Sequence, residues 1–222
     1  MLFVIRFKKS FMGFKFLQNP NDAITIAEIL FNQDIDLFIE TGAFEGASAL
    51  FFASLMYQYR YNATDKSVRP FKIITIDIDA KGKPNIDKYP LLSSFIEFIH
   101  DSSNSDKARQ LVNVTFNQLK PKNVFISLDG DHTANAVYHE LLYYSNLLTN
   151  IGNYILVQDT RLSRKWHPKY CQSSAFDGPC DGPLEGLQAF IKKQDKQRFI
   201  VDRQQEYLFS IHQHGFIKRI SF

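Results

Sequence analysis

The stretch LDGDH in the middle of the chain brings two carboxylates and one imidazole within four residues of one another. Asp129, Asp131 and His132 directly follow the apolar run NVFISL, which is typical of a buried strand. Carboxylates this close repel one another and shift each other's pKa, so their retention needs a physical reason. A bound cation, or a proton that has to be moved, is the usual reason. The stretch therefore predicts metal or acid–base chemistry.

An apolar run that ends in an acidic side chain recurs along the chain. It is found at Glu40, Asp77, Asp101, Asp129 and Asp159. These runs alternate with helix-like segments, which predicts a mostly parallel sheet, and ligands of such sheets bind beyond the carboxyl ends of the strands. Packing alone does not explain why so many core strands end in a carboxylate. We therefore expect these side chains to meet in one crevice.

The fold predicted from these runs is α/β. The segments IDLFIE, FKIITIDID, SSFIEFIH, NVFISLD and NYILVQD predict parallel strands, and RFIVDR with YLFSIHQHGFIKRI predicts a closing antiparallel hairpin. The result is a Rossmann-like, seven-stranded, mostly parallel sheet with helices on both faces. Neither a repeat nor a linker divides the sequence, so we expect residues 1–222 to form a single domain. Excision from a longer glycan-assembly protein is left open.

Composition and the two cysteines narrow the class of protein. The net charge of +3 is too small to indicate nucleic-acid binding. Cys171 and Cys180 lie in one loop and make no disulfide framework, which favours a reducing compartment. The N-terminal stretch MLFVIRFKKSFMGFKFL lacks the uninterrupted apolar core of a signal peptide or membrane span. We expect an edge strand there, and the alternative is a segment that lies on the surface of a membrane or of another protein. We therefore expect a cytoplasmic protein without a transmembrane segment. Whether Met1 is the native start of the chain is left open.

The segment FIETGAFEGASAL predicts a strand-to-helix turn that binds a ligand. Glu40, Gly42 and Gly46 lie at this turn, and Ser48 follows at the start of the helix. Glycines let the backbone pass close to a ligand, and the helix N-terminus supplies free N–H donors. Phe44 occupies the middle glycine position of the dinucleotide pattern G-x-G-x-x-G, which favours a ligand without a pyrophosphate. The alternative is a tight turn without any ligand.

The next two strands predict the remaining contacts to a nucleoside. Asp77 is placed to accept two hydrogen bonds from a ribose diol, whereas Asp79 is expected to face solvent. Asp101 and Ser102 end the third strand within reach of an adenine edge. For Asp101 the alternative is a place in a helix N-cap region.

These motifs together resemble the class I S-adenosylmethionine-dependent methyltransferases. More narrowly, the chain is similar to the branch that holds cephalosporin-hydroxylase-like proteins and the rhamnosyl and macrolide-sugar O-methyltransferases. The resemblance covers nearly the whole chain, through QNPNDAITIAEIL, IETGAFEGAS, LDGDH, VQDT, DGPLEGLQAFI and RFIVDRQQEYLFSIHQHGFIKR. It implies that the glycine turn and the acidic ends of the next strands bind S-adenosylmethionine.

The resemblance also implies a divalent cation, Mg²⁺ or Mn²⁺, and a base. Asp129 and Asp159 are the expected carboxylate ligands, because hard cations prefer oxygen. The residue before Asp159 is commonly acidic in the family, but here it is Gln158, whose amide oxygen brings no charge. The third ligand is therefore open between Gln158 and Asp131, and Asp131 has two alternatives, orienting His132 or facing water. His132 is expected to take the proton of the acceptor hydroxyl, and the other histidines, His212 among them, have weaker claims.

The expected acceptor is a sugar or glycoside, with rhamnose or another deoxysugar favoured. The long loop TRLSRKWHPKYCQSSAFDGPCDGP is expected to contact it, with Trp166 and Tyr170 stacking on the sugar and Arg161 or Arg164 bonding its hydroxyls. The alternative is a flexible surface loop. A homo-oligomer or a neighbouring glycosyltransferase domain is left open as a partner. The sequence does not identify the acceptor or the hydroxyl that is methylated.

Two other functions compete with methyl transfer. A nicotinamide-dependent oxidoreductase would use the same fold, but the missing middle glycine at Phe44 argues against it. A non-catalytic glycan-binding module would explain Gln158 as decay of the site. The intact Asp77, Asp129 and His132 argue for an active enzyme.

Overall fold

The computed structural model describes residues 9–61, 70–161, 181–194, 197–206 and 210–222. Its strands are β1 Ser10–Phe11, β2 Phe14–Lys15, β3 Leu37–Thr41, β4 Lys72–Asp77, β5 Ile96–His100, β6 Val124–Leu128, β7 Tyr154–Val157, β8 Phe199–Val201 and β9 Phe216–Arg219. Its helices are α1 Pro20–Asn32, α2 Ala47–Tyr61, α3 Gly82–Asp87, α4 Pro90–Ser93, α5 Asp106–Leu119, α6 Ala134–Tyr144 and α7 Pro183–Lys192. Short 3₁₀ turns cover Ser145–Leu147 and Arg203–Gln205.

Seven of these strands form one sheet in the order β5-β4-β3-β6-β7-β9-β8. The first five strands in this order, β5, β4, β3, β6 and β7, run parallel to one another. The last two differ, since β9 lies antiparallel between β7 and β8. This arrangement confirms the predicted fold class. The strand order reverses at β3, since the chain moves outward to β4 and β5 and then returns to β6 on the other side. Ligands of open α/β sheets bind at such a reversal, beyond the carboxyl ends of the strands.

The side chains of β3 show why both faces of the sheet are covered. Leu37 and Ile39 belong to one apolar cluster, with residues of α5, α6 and α7. Phe38 points to the opposite face and joins the second cluster, with residues of α1 and α2. All of β3 is buried, which is typical of a parallel strand between two helical layers. The sheet therefore holds the strand ends rigidly.

Two segments differ from the sequence prediction. The described part of the N-terminal segment, residues 9–17, does not add an edge strand to the main sheet; its strands β1 and β2 form a separate hairpin, and Phe11 packs edge-on against Phe51 of α2. The last predicted strand is shorter, because residues 210–215 form a turn before β9. A Cβ atom on Gly215 would lie 2.2 Å from the Val157 carbonyl oxygen, so this turn lies directly against the end of β7.

The helices of the described chain are too short or too polar to cross a membrane.

Candidate active site

The carboxyl ends of the parallel strands surround a cavity of about 560 Å³. Residues that the sequence predicted as site residues line much of it, namely Gly42, Asp77, Asp101, Ser102, Asp129, His132, Gln158 and Asp159. The structure thus brings these predicted cofactor and metal residues together at one edge of the sheet, whereas Glu40, Gly46 and Ser48 do not line the cavity. Apolar side chains that the sequence analysis did not single out, Leu17, Ile78 and Ile211, complete the wall.

The glycine turn after β3 lies close to the end of β6. Gly42 has a φ of +84°, and a Cβ atom on it would lie 2.0 Å from the Asp129 carbonyl oxygen. No side chain fits at this position, because the contact is with rigid backbone. Gly42 therefore joins the predicted cofactor turn to the predicted metal strand.

Glu40 supports this turn from below and does not line the cavity. Its Oε1 accepts hydrogen bonds from the hydroxyls of Thr75 and Ser48, at 2.7 and 3.1 Å. Burial raises the pKa of Glu40 to about 7. The structure therefore places Glu40 and Ser48 behind the turn, and their contact with a cofactor stays a prediction.

Asp77 and Asp101 line the part of the cavity beyond β4 and β5. The Asp77 carboxylate accepts the backbone N–H groups of Phe44 at 2.7 Å and Asp79 at 2.8 Å, so its orientation is fixed. The side chain of Asp79 is 46% exposed and pairs with Lys81, as expected for a carboxylate that faces solvent. Asp101 accepts the N–H of Ser102, and this bond lowers the pKa of Asp101. The N-cap of α5 is Ser105, so Asp101 does not itself cap that helix.

Asp129, His132 and Asp159 form a compact cluster at the other end of the cavity. His132 Nε2 lies 3.4 Å from Asp129 Oδ1 and 3.3 Å from Asp159 Oδ2. One ligand atom from each of the three residues lies within 4.8 Å of the others. Nε2 is buried and makes no hydrogen bond of ordinary geometry. This arrangement of two carboxylates and an imidazole suits a hard divalent cation.

The cluster is strongly coupled electrostatically. Burial raises the pKa of Asp129, and the nearby charge of Asp159 adds to this effect. Burial acts on Asp159 in the same direction, but the imidazole of His132 outweighs it and lowers the pKa of Asp159. Burial opposes protonation of His132, yet the two carboxylates dominate and raise its pKa to about 10. A positive charge is therefore favoured between the carboxylates, whether it comes from a proton or from a cation.

Both carboxylate residues are anchored through their backbone N–H groups. The N–H of Asp129 lies 3.1 Å from both the carbonyl oxygen and the hydroxyl of Thr41 at the end of β3. Asp159 has a φ of +55°, a left-handed conformation that costs roughly 1–2 kcal/mol for a non-glycine residue. Its N–H donates to Nδ1 of His212 at 2.8 Å.

Gln158 lies beside the cluster with its amide already engaged. Its Oε1 accepts a hydrogen bond from Nε2 of Gln18 at 2.6 Å, and its own Nε2 donates to the Ser127 hydroxyl at 2.7 Å. Asp131 is exposed and accepts the N–H of Thr133. The roles of Gln158 and Asp131 as third ligand remain predictions. The side chain that lies beside both carboxylates in the structure is that of His132.

Glu140 of α6 is a buried acid that sequence reasoning missed. Its Oε1 accepts the hydroxyl of Ser103 at 2.6 Å, and its carboxylate also interacts with the side chain of Thr41. Burial raises the pKa of Glu140 to about 7. Glu140 thus links the loop after β5 to the backbone of Asp129 through Thr41. A glutamate in the middle of a helix gives no sequence signal for such a contact.

Replacing Glu140 by Gln is expected to flatten the pH dependence of stability. The folded protein keeps the Glu140 proton up to about pH 7, whereas the unfolded chain releases it near 4.5, so stability falls as pH rises through this window. Glu140→Gln should remove on the order of 3 kcal/mol of this loss between pH 4 and pH 8. Glu40 titrates in the same pH window, so the variant still loses some stability as pH rises. Urea unfolding at both pH values measures the effect, and an unchanged profile contradicts it.

The predicted acceptor residues are placed only in part. Arg161 lies just after the cluster, donates its backbone N–H to the Ile211 carbonyl at 3.2 Å and does not line the cavity. Arg164, Trp166 and Tyr170 lie outside the described residues, as do Cys171 and Cys180. Their contact with an acceptor stays a prediction.

Comparison with known proteins identifies relatives over most of the chain. The family model for rhamnosyl O-methyltransferase/CmcI matches residues 4–220. The rhamnosyl O-methyltransferase of Mycobacterium leprae (strain TN) is 29% identical over 211 residues, which cover 95% of this chain and 82% of that enzyme. The enzyme of Mycobacterium bovis (strain BCG / Pasteur 1173P2) is 28% identical over 183 residues, which cover 82% of this chain and 66% of that enzyme.

Solved structures share the fold at low sequence identity. A structure of CmcI with Mg and SAM has a TM-score of 0.61 and 15% identity, with 96% of this chain and 77% of that chain covered. The O-methyltransferase from Bacillus cereus in complex with SAH has a TM-score of 0.55 and 14% identity, with coverage of 82% and 73%. These similarities support the Rossmann-like fold class.

Proposed function

We propose, since this chain belongs to the rhamnosyl O-methyltransferase/CmcI family, that it transfers the methyl group of S-adenosylmethionine to a sugar hydroxyl in a reaction that depends on a divalent cation. Rhamnose or another deoxysugar of a glycan or glycoside is the favoured acceptor. The observation that carries the proposal is the convergence of Asp129, His132 and Asp159 next to the cavity beyond β3 and β4. A nicotinamide-dependent oxidoreductase is not supported, because the family model and the relatives that match are those of rhamnosyl O-methyltransferases.

The cofactor is assigned to the part of the cavity beside the glycine turn. Asp77 is fixed by two backbone N–H groups and faces the cavity, which supports its predicted contact with a ribose diol. Asp101 and Ser102 on the next strand end would contact the adenine. Gly42 leaves the backbone open to close approach.

The residues present fit a divalent cation. Asp129 and Asp159 supply two carboxylates, and the buried Nε2 of His132 lies between them without a hydrogen bond. Gln158 is held by Gln18 and Ser127, so we assign the cation to the two carboxylates first. When bound, the cation supplies Lewis-acid activation of the acceptor hydroxyl and offsets the charge of the carboxylates.

The protein's part in the reaction is alignment and proton removal. The sugar hydroxyl attacks the methyl carbon as the carbon–sulfur bond of the sulfonium breaks, so donor and acceptor must lie in line. Holding the donor and the acceptor in this geometry lowers the activation free energy by roughly 7–11 kcal/mol. A sugar hydroxyl is a very weak acid, and we assign its proton to the imidazole of His132, which borders the cavity. The two carboxylates hold a proton on this imidazole, and a bound cation would take over their charge and leave the imidazole free to accept a proton.

The proposal is tested by methyl transfer from S-adenosylmethionine to rhamnosides, followed by mass spectrometry. We expect the acceptor to gain one methyl group, the reaction to stop in EDTA, and activity to return with Mg²⁺ or Mn²⁺ in excess. Unchanged turnover in the chelator would remove the cation from the proposal. The absence of transfer to any sugar acceptor would favour a glycan-binding module instead.

A further inference from the structure

A buried acid–imidazole pair lies behind the cluster and takes no part in the chemistry proposed above. Asp22 on α1 and His212 in the turn before β9 are both fully buried, with 0% of either side chain exposed. Asp22 Oδ2 lies 3.5 Å from His212 Nε2 and accepts the backbone N–H of Ile211 at 3.3 Å. The pair therefore joins the first helix of the main fold to a segment near the end of the chain.

The direction of the hydrogen bond at His212 fixes its tautomer. The backbone N–H of Asp159 donates to Nδ1 at 2.8 Å, and a nitrogen that accepts a hydrogen bond carries no proton. The ring proton therefore lies on Nε2, the nitrogen that faces Asp22. The carboxylate makes no hydrogen bond of ordinary geometry to Nε2, but its negative charge 3.5 Å away favours the proton on this nitrogen, so that Nδ1 remains an acceptor.

Asp159 needs such a partner because of its backbone conformation. Its φ of +55° is left-handed, and this conformation turns its carboxylate toward His132, with Oδ2 at 3.3 Å from Nε2. The same turn fixes the following residues, since the Thr160 hydroxyl donates to the Gln213 carbonyl and the Arg161 N–H donates to that of Ile211. Among these hydrogen bonds of the turn, the one to His212 is made by the backbone N–H of Asp159 itself.

We propose that His212, braced by Asp22, is a positioning residue that holds the Asp159 carboxylate at the cation site. This inference rests on the proposed function, because it gives Asp159 its role as a ligand. It predicts that the acceptor atom at Nδ1 matters more than the volume of the imidazole. A role in packing alone predicts the opposite.

Two amide variants, which differ by one methylene group, separate these roles. In His212→Asn the side-chain oxygen can occupy the place of Nδ1 and still accept the Asp159 N–H, whereas the longer side chain of His212→Gln reaches toward Asp22 and leaves this N–H unpaired. We expect His212→Gln to weaken Mn²⁺ binding by roughly 10–100-fold, as is typical for the partner of a metal ligand, and His212→Asn to stay within about threefold of the parent. Mn²⁺ titration followed by electron paramagnetic resonance, without acceptor, gives the affinity. Calorimetric binding of S-adenosylhomocysteine should be unchanged in both variants.

Equal losses of Mn²⁺ affinity in the two variants, or parental affinity in His212→Gln, overturn the proposal while the proposed function stands. A parent protein that binds no Mn²⁺ overturns the cation's role and the role of His212 with it. If the variants fail to fold, nitrogen-15 NMR of the histidines in the unmodified, metal-free protein decides. A protonated Nε2 and an unprotonated Nδ1 at His212 support the proposal, and a protonated Nδ1 overturns it.

Discussion

Replacing Asp129 by Asn is expected to lower the rate of methyl transfer by about 10³-fold or more, because Lewis-acid stabilisation is worth several kcal/mol and each 1.4 kcal/mol is tenfold in rate. Asn keeps the size of the side chain but removes the charge that, with Asp159, favours a cation in the cluster. The backbone N–H of residue 129 still reaches Thr41, so the local fold should survive. The expected defect therefore lies in catalysis and cation binding.

The measurement is the single-turnover rate at saturating S-adenosylmethionine, together with calorimetric binding of S-adenosylhomocysteine. We expect cofactor affinity to stay within about threefold of the parent, since a transition-state interaction is lost without loss of ground-state binding. Asp106→Asn is the matched control, because Asp106 is an exposed residue of α5 and does not line the cavity. A full rate in Asp129→Asn, or an equal loss in Asp106→Asn, would move the chemistry away from Asp129.

Replacing His132 by Gln is expected to lower the rate by about 10²–10⁴-fold, the usual contribution of a general base. Gln can still donate a hydrogen bond to the carboxylates, but it cannot take a proton from a sugar hydroxyl. The parent gains activity as pH rises until the base is unprotonated, and the variant should lack this step.

Affinity for Mn²⁺ separates two roles of His132. If His132 is only a base, His132→Gln should keep the Mn²⁺ affinity within about threefold of the parent. If His132 is a ligand of the cation, the same change should weaken Mn²⁺ binding by at least about tenfold. His139→Gln serves as the control, because His139 lies on α6 away from the cavity lining. A large drop in Mn²⁺ affinity with His132→Gln would make His132 a third ligand. A full rate across pH would discard its role as base.

The sequence was sufficient to predict the sheet and the edge at which the site lies. Buried strands such as β3 and β6 read as continuous apolar runs, and a side chain at the end of each run must lie at the carboxyl edge. Asp77, Asp129 and Asp159 could therefore be placed in one crevice without any contact being known. A glycine at a strand-to-helix turn also predicts that the backbone passes close to another group, and in the structure that group is the backbone of Asp129.

The residues behind the site could not be predicted in the same way. Asp22 reads as an ordinary acidic residue in the first turn of a helix, and its complete burial depends on a partner near the other end of the chain. Glu140 and Gln18 are also polar residues whose partners are distant in sequence. Such pairs carry no periodicity and no local spacing, so only the tertiary structure reveals that they support Thr41, Gln158 and Asp159.

The most direct measurement is anomalous X-ray scattering from a crystal grown with S-adenosylhomocysteine and Mn²⁺. We expect one strong manganese peak between the carboxylates of Asp129 and Asp159, beside the imidazole of His132, with the ribose of the cofactor product on Asp77. A manganese peak elsewhere, or a nucleoside bound away from the ends of β3 and β4, would contradict the assignment of one crevice to both ligands.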